Sequence, residues 1–227
     1  MKRLISVSPS SKQFWFIVIP AMIIQLVGVF GYLVWFPQYA QLIYPSLKLL
    51  MVGLPLVWLL YGISPVRPSG RQRVTAGIVS GLLIVIVLLG VALLLKDLLL
   101  TFRPLIQQTV ERVGIGSYYL LFALFLSLVH SLFEELYWRW FVYGMLRHRF
   151  SFLAAAGVSS VAFASHHYVV LGQFLSPALV ILGGTIVGMA GFFWCYLYEK
   201  TNSIVASWVS HIFADAAVML IGYWLIF

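Results

Sequence analysis

A helix needs about 20 consecutive, predominantly apolar residues to cross a bilayer, and this sequence is built almost wholly from such stretches. Seven segments qualify or nearly so, roughly 14–36, 47–61, 74–95, 117–145, 152–171, 179–198 and 204–227. Charge is scarce: Asp, Glu, Lys and Arg make up 9% of the 227 residues, whereas 63% are hydrophobic. A soluble domain is usually about a quarter charged. A water-facing surface is therefore excluded, as are disorder, collagen and coiled coil. The expected fold is all-α, a polytopic transmembrane helix bundle of about seven spans forming one integral membrane domain over 1–227.

The charges that remain are unequal, with 14 basic and 6 acidic residues. In a soluble chain such an excess suggests nucleic acid. Here most basic residues flank apolar runs, so they set topology in the lipid bilayer and no nucleic-acid partner is expected. With the N-terminus cytoplasmic, the inner side receives Lys2, Arg3, Lys12, Arg67, Arg71, Arg73, Arg147, Arg149 and Lys200. The outer side receives Lys48, Lys96, Arg103 and Arg112. That bias favours N-terminus in, provided the count is seven. An eighth crossing within 96–116 would invert part of it. That stretch is polar, amphipathic and broken by Pro104, so it reads as an interfacial helix. The loop 62–73, with Pro65, Pro68, Gly70 and three arginines, reads as a cytoplasmic turn. The first apolar run follows basic residues as a signal peptide would. It is too long for an h-region and lacks a small-residue cleavage site, so it is expected to be retained. The one cysteine, Cys195, permits no disulfide framework. Gly184 and Gly188, with the Ala- and Ser-rich start of the fifth segment, predict that segments five and six pack closely in the interior.

The acidic residues carry more information. Asp97, Glu111 and Glu199 read as connecting residues, whereas Glu134, Glu135 and Asp215 fall inside apolar runs. A charged group at mid-bilayer costs about 2.5–3.5 kcal/mol on insertion scales, so it normally pairs and faces inward. In the fourth segment His130 is four residues from Glu134, and Glu135 four from Arg139, spacings that share a helix face. The fifth segment brings His166 and His167 after Phe163, and the seventh brings His211 and Asp215, again four apart. Each residue alone is explained by packing. Three such clusters in one bundle are not. At 1.5 Å per residue, Glu134 lies about 20 Å from Arg147 and His211 about 17 Å from Lys200. His167 lies about 27 Å from Arg149, deeper than the other two.

A desolvated glutamate and a histidine can together deprotonate a water for attack on a carbonyl, and a second imidazole can stabilise the resulting oxyanion. Two histidines and a carboxylate can instead hold Zn²⁺ with one position open for water. The sequence has no HExxH, and Cys195 has no matching partner for a Cys-His pair.

The stretch from Glu134 to Arg139 fits EExxxR, Phe163 to His167 fits FxxxH, and His211 to Asp215 fits HxxxN/D. In this order, one motif to each apolar segment, the region of about 117–227 resembles the CAAX-protease and bacteriocin-processing (CPBP, or Abi) family of intramembrane proteases. The resemblance implies a multi-pass endopeptidase cutting near the C-terminus of a membrane-anchored protein or peptide. By motif position, Glu134 and His167 activate the water, while His211 and Asp215 stabilise the oxyanion or complete the site. Glu135, Arg139 and Phe163 support them, and His130, one turn from Glu134, is a candidate neighbour. His166 lies outside the motif, and only one of the adjacent histidines is expected to face the site. The third motif often ends in Asn, so Asp215 adds a negative charge that a proton, His211 or a metal must offset. The family has been described both with and without a metal. If a metal is present, the ligands implied are Glu134, His167 and His211, with Zn²⁺ the natural ion. The short chain resembles bacterial members, which implies a bacterial cytoplasmic membrane and an unprenylated substrate. Oligomeric state has no signature in the sequence. Two other readings stand beside the peptidase: a proton- or ion-coupled transporter, and a non-catalytic immunity or scaffold protein.

Overall fold

The computed structural model describes residues 9–66 and 73–227. Lys2, Arg3, Arg67, Pro68, Gly70 and Arg71, which bear on orientation and on the first loop, lie outside the described residues. Among those described there is no strand, and seven helices are long and apolar enough to span a membrane. They are α1 (Ser11–Trp35), α2 (Pro37–Leu60), α3 (Val74–Leu94), α6 (Gly116–Leu146), α7 (Phe152–Leu171), α8 (Pro177–Thr201) and α9 (Ile204–Ile226). Two shorter helices, α4 (Lys96–Thr101) and α5 (Arg103–Val113), occupy the stretch in which an eighth crossing would have to lie. Neither is long enough to span. Pro104 sits in the first turn of α5, where its missing N–H costs nothing, and Gly114 ends the helix at φ +74°. Gln107 donates to the Ile226 carbonyl at 2.7 Å, fastening α5 against the end of α9.

Local caps mark the span starts. Ser10 and Gln13 form a reciprocal capping box at α1, and Ser151 and Ser203 accept backbone N–H bonds at α7 and α9. The spans differ from the sequence expectation most at α2. It begins at Pro37 rather than near Leu47, because Gln38, Gln41 and Lys48 dilute its hydropathy without breaking the helix. Lys48 lays its ammonium over the Tyr44 ring at 5.3 Å. Glu199 is in the last turn of α8 rather than in a connection. It accepts from Tyr143 and pairs with Arg147 at 3.0 Å, tying α8 to the end of α6.

Two close helix pairs frame the bundle, α3 on α9 and α7 on α8. Small residues make both possible: a Cβ on Gly77 would lie 2.2 Å from the Ala206 carbonyl oxygen, and one on Gly184 would lie 2.2 Å from the Tyr168 ring. Segments five and six pack closely as expected, with Gly184 and Gly191 of α8 turned toward α7, but both helices also carry an outward face, Leu153 and Val161 on α7 and Ile181, Ile186 and Met189 on α8. α1 lies across α6 and α7, and its buried residues Phe14, Ile17, Val18, Ala21, Gln25 and Val29 recur at helical spacing. They join Tyr137, Trp138, Phe141, Phe163 and Trp194 in and around the core.

Candidate active site

α6 carries the first motif on an unusually wide helix. Phe125–His130 and Glu135–Tyr143 are π-helical, separated by one α-helical turn, Ser131–Glu134. Such widenings recur at functional sites because they re-aim side chains. Here adjacent Glu134 and Glu135 are both buried, and each reaches a different set of partners.

Glu134 is 2% exposed. Its Oε1 lies 3.2 Å from His130 Nε2 and 3.7 Å from His166 Nε2, and accepts from Gln25 Nε2 at 3.2 Å. Its Oε2 faces His211 Nε2 at 3.8 Å. Glu135 turns away to Arg139, whose Nη1 is 3.2 Å from Oε1, and to His211, whose Nδ1 is 2.9 Å from the same oxygen. The Arg139 guanidinium is fully buried, with Phe163 on one side at 4.4 Å and the Trp194 ring at 4.9 Å. Cation–π contact supplements the ion pair here.

His211 is thus shared among three carboxylates. Nδ1 faces Glu135, while Nε2 lies 3.5 Å from Asp215 Oδ1 and looks across to Glu134. Trp194 stacks on its ring at 3.8 Å and 19°, held by a bond from Trp194 Nε1 to Ser210 Oγ. His167 Nδ1 is 3.1 Å from the Phe163 carbonyl oxygen. A carbonyl only accepts, so Nδ1 carries the proton and Nε2 keeps its lone pair. His130 is partly exposed, with Nδ1 3.3 Å from the Tyr44 hydroxyl.

His166 corrects the expectation that only one of the adjacent histidines faces the site. Both do. Their rings lie 4.0 Å apart, and His166 lies parallel to Trp138 with its Nε2 aimed at Glu134. Neighbouring helix positions diverge by about 100°, but the Glu134 carboxylate sits where both rings reach it. Consequently the donors that gather within 4.8 Å are Glu134, His166 and His167, rather than the expected set with His211. Tetrahedral Zn²⁺ with bonds near 2.0–2.1 Å wants donors about 3.3 Å apart. Two imidazoles and a carboxylate within 4.8 Å of one another are a donor set that zinc accepts, so these residues fit the ion. Residues 147–151 form the turn, so the helix leading to His167 begins at Phe152 and contributes about 22 Å. Rise along the helices still differs, but His167, Glu134 and His211 line one chamber.

Two connected spaces adjoin these residues. A chamber of about 140 Å³ is lined by Leu126, His130, Glu134, His167, His211 and Asp215, with Val218 and Met219. A larger groove of about 540 Å³ shares His167, His211, Asp215 and Val218 with it and runs between α3, α8 and α9. Its other walls include Leu83, Ile84, Val87, Ile186 and Met189, several of them exposed on the outer face of the bundle.

Gln25, Tyr44 and Trp194 do not stand out in the sequence as site residues. Of these only Gln25 has a legible mark, as an amide on the apolar stripe of α1 with Ala21 and Val29. Tyr44 and Trp194 look like ordinary span aromatics until the packing is known.

Residues 116–217 match the family model described as type II CAAX prenyl endopeptidase Rce1-like. The match spans α6, α7, α8 and much of α9, and it contains all three motifs. The resemblance read from those motifs therefore stands on a match over the same residues. No curated protein and no solved structure matches the chain significantly.

Proposed function

From the likeness of residues 116–217 to the type II CAAX prenyl endopeptidases, we propose that this multi-pass membrane protein is an intramembrane peptidase that hydrolyses a peptide bond near the C-terminus of a membrane-anchored protein or peptide. The observation that carries the reading is the convergence of α6, α7 and α9 on one chamber, with Glu134, His167, His211 and Asp215 in its wall. The substrate reaches it from the apolar groove, which borders the same residues.

In this mechanism water occupies the chamber. Glu134 takes its proton through Oε2, since Oε1 is engaged by Gln25 and His130. His167 Nε2, fixed by the Nδ1 bond to Phe163, accepts from the same water and orients it. The hydroxide oxygen bonds to the scissile carbonyl carbon as the C=O pair moves onto oxygen. His211, protonated on Nδ1 toward Glu135, presents Nε2–H to that oxyanion, with Asp215 beside it offsetting the imidazolium charge. Collapse breaks the C–N bond, and Glu134 returns its proton to the leaving amine. Arg139 holds Glu135 in place. Where a metal takes part, Glu134, His166 and His167 would hold Zn²⁺, which polarises a carbonyl and makes a bound water acidic.

We place the N-terminus in the cytoplasm on the basic-residue bias, and the protein in a bacterial cytoplasmic membrane on its resemblance to bacterial members of the family. The deciding experiment is cleavage of a membrane-anchored peptide by the purified protein. Wild type should cleave, and Glu134→Ala, His167→Ala and His211→Ala should abolish cleavage while staying folded. Equal cleavage by all three removes the assignment. Ion flux in proteoliposomes that Glu134→Gln abolishes, without peptide cleavage, would establish a transporter instead.

A further inference from the structure

The family match contains none of α1, yet α1 donates a hydrogen bond to the carboxylate on which the proposed reaction turns. We propose that Gln25 is a positioning residue that locks Glu134 so that Oε2, not Oε1, serves as the base; this rests on the peptidase reading above.

Every other member of the buried α1 stripe is apolar, and a buried amide is costly unless it is hydrogen-bonded. Gln25 is 2% exposed and makes two bonds. Trp138 Nε1 donates to its Oε1 at 2.8 Å, and its Nε2 donates to Glu134 Oε1 at 3.2 Å. An indole N–H only donates, so the amide oxygen has to face Trp138 and the NH₂ has to face Glu134. Glu134 and Trp138 are one turn apart on α6, and Gln25 bridges them. One turn earlier on α1 the Ala21 carbonyl accepts from Tyr137 at 2.6 Å, so the register of α1 against α6 is pinned at two successive turns.

The terminal torsion of a glutamate is broad, so a carboxylate with one anchored oxygen is far better defined than a free one. Gln25 and His130 both engage Oε1, with His166 Nε2 behind them at 3.7 Å. Oε2 is left toward His211, another chamber-lining residue, at 3.8 Å. The open oxygen is the one that can take a proton from water there. Gln25 could instead be a docking amide that merely seats α1, and the two roles respond differently to one isosteric change.

Gln25→Glu keeps the volume and the acceptor for Trp138 but puts a second acceptor against Glu134. The test compares wild type, Gln25→Glu and Gln25→Met, as purified full chains, in cleavage of a membrane-anchored fluorogenic peptide, with thermal unfolding measured in parallel. Positioning predicts that kcat falls about 10- to 100-fold in both variants, the effect of misplacing a reacting group, with KM unchanged; Gln25→Glu, which sets a second buried carboxyl against Glu134, should unfold at a lower temperature than wild type. Docking predicts that Gln25→Glu cleaves like wild type, and that result overturns the proposal. If Gln25→Glu unfolds, Trp138→Phe asks the same question by freeing the amide. Its kcat loss should not add to that of Gln25→Met, and additive losses overturn the proposal. A wild type that cuts nothing defeats the peptidase reading itself, whereas a cleaving wild type with an unimpaired Gln25→Glu removes only the role of Gln25.

Discussion

His211 Nδ1 lies 2.9 Å from Glu135 Oε1, and Arg139 Nη1 approaches that oxygen from the other side at 3.2 Å. The second motif glutamate therefore fixes an imidazole on another helix while a buried cation holds it. Glu135→Gln removes the charge that keeps Nδ1 protonated and allows the amide to donate to the ring, which favours the wrong tautomer. Its kcat is expected to fall about 10²- to 10³-fold, on the scale of losing one oxyanion-stabilising donor, with substrate affinity little changed. Steady-state kinetics on the folded variant checks this, and a rise in KM alone would contradict it.

Arg139 makes a separate prediction about stability. It is 1% exposed, and removing one member of a buried ion pair leaves the other charge uncompensated, typically at 3–5 kcal/mol. Arg139→Met should destabilise the fold by about that amount. Adding Glu135→Met should recover part of the loss, because the orphaned charge is then gone. Denaturation in detergent of the two singles and the double reads this coupling. A double variant less stable than Arg139→Met excludes it.

Much of this arrangement is legible in the sequence, for identifiable reasons. Long apolar runs mark the spans because a bilayer tolerates little else, and Glu134, Glu135 and Asp215 stand out because charge is expensive there. The α6 pairs His130–Glu134 and Glu135–Arg139 lie within one helix, so spacing alone brings them together. What spacing cannot supply is the meeting of different helices. His211 with Glu135, His166 with Glu134 and Gln25 with Trp138 depend on how α1, α7 and α9 rotate against α6. The start of α2 escapes a hydropathy reading because Gln38, Gln41 and Lys48 look unlike a span until Tyr44 is seen beneath the lysine.

The His₂Glu grouping predicts which histidine a metal depends on. Zn²⁺ titrated into the detergent-solubilised protein should saturate near one ion per chain. His166→Ala and His167→Ala should each weaken binding by more than about 10-fold, a loss that altered outer partners alone can cause. His211→Ala should bind nearly as wild type, because its Nδ1 is engaged by Glu135 and it is not one of the donors gathered within 4.8 Å. Calorimetry or elemental analysis gives the comparison. A His211→Ala variant that binds worse than His166→Ala would move the site to the other set.

The glycines of α3 are not equivalent. A Cβ on Gly77 would come 2.2 Å from backbone at Ala206, which cannot yield without separating α3 from α9, whereas a Cβ on Gly90 meets nothing within 4 Å. Gly77→Ala should lose about 1–3 kcal/mol, as overpacking does. Gly90→Ala should be neutral or slightly stabilising, since alanine is the better helix former. Thermal melts of the two single variants suffice, and equal melting temperatures would refute the close packing.

The groove predicts how the substrate gets in. Its α3 wall includes Ile84 and Val87, its α8 wall Ile186 and Met189, and its inner end His167, His211 and Asp215. A bulky side chain at Ile84 occupies part of the 540 Å³ without touching the contacts of Glu134. Ile84→Trp should raise KM for a membrane-anchored peptide while leaving kcat nearly unchanged, the signature of lost binding shared by ground and transition states. A short soluble peptide that needs no apolar anchor should be cut by this variant and by wild type alike. Equal inhibition of both substrates would show that the anchored peptide reaches Glu134 by another route, and that the groove is only a seam between α3 and α8.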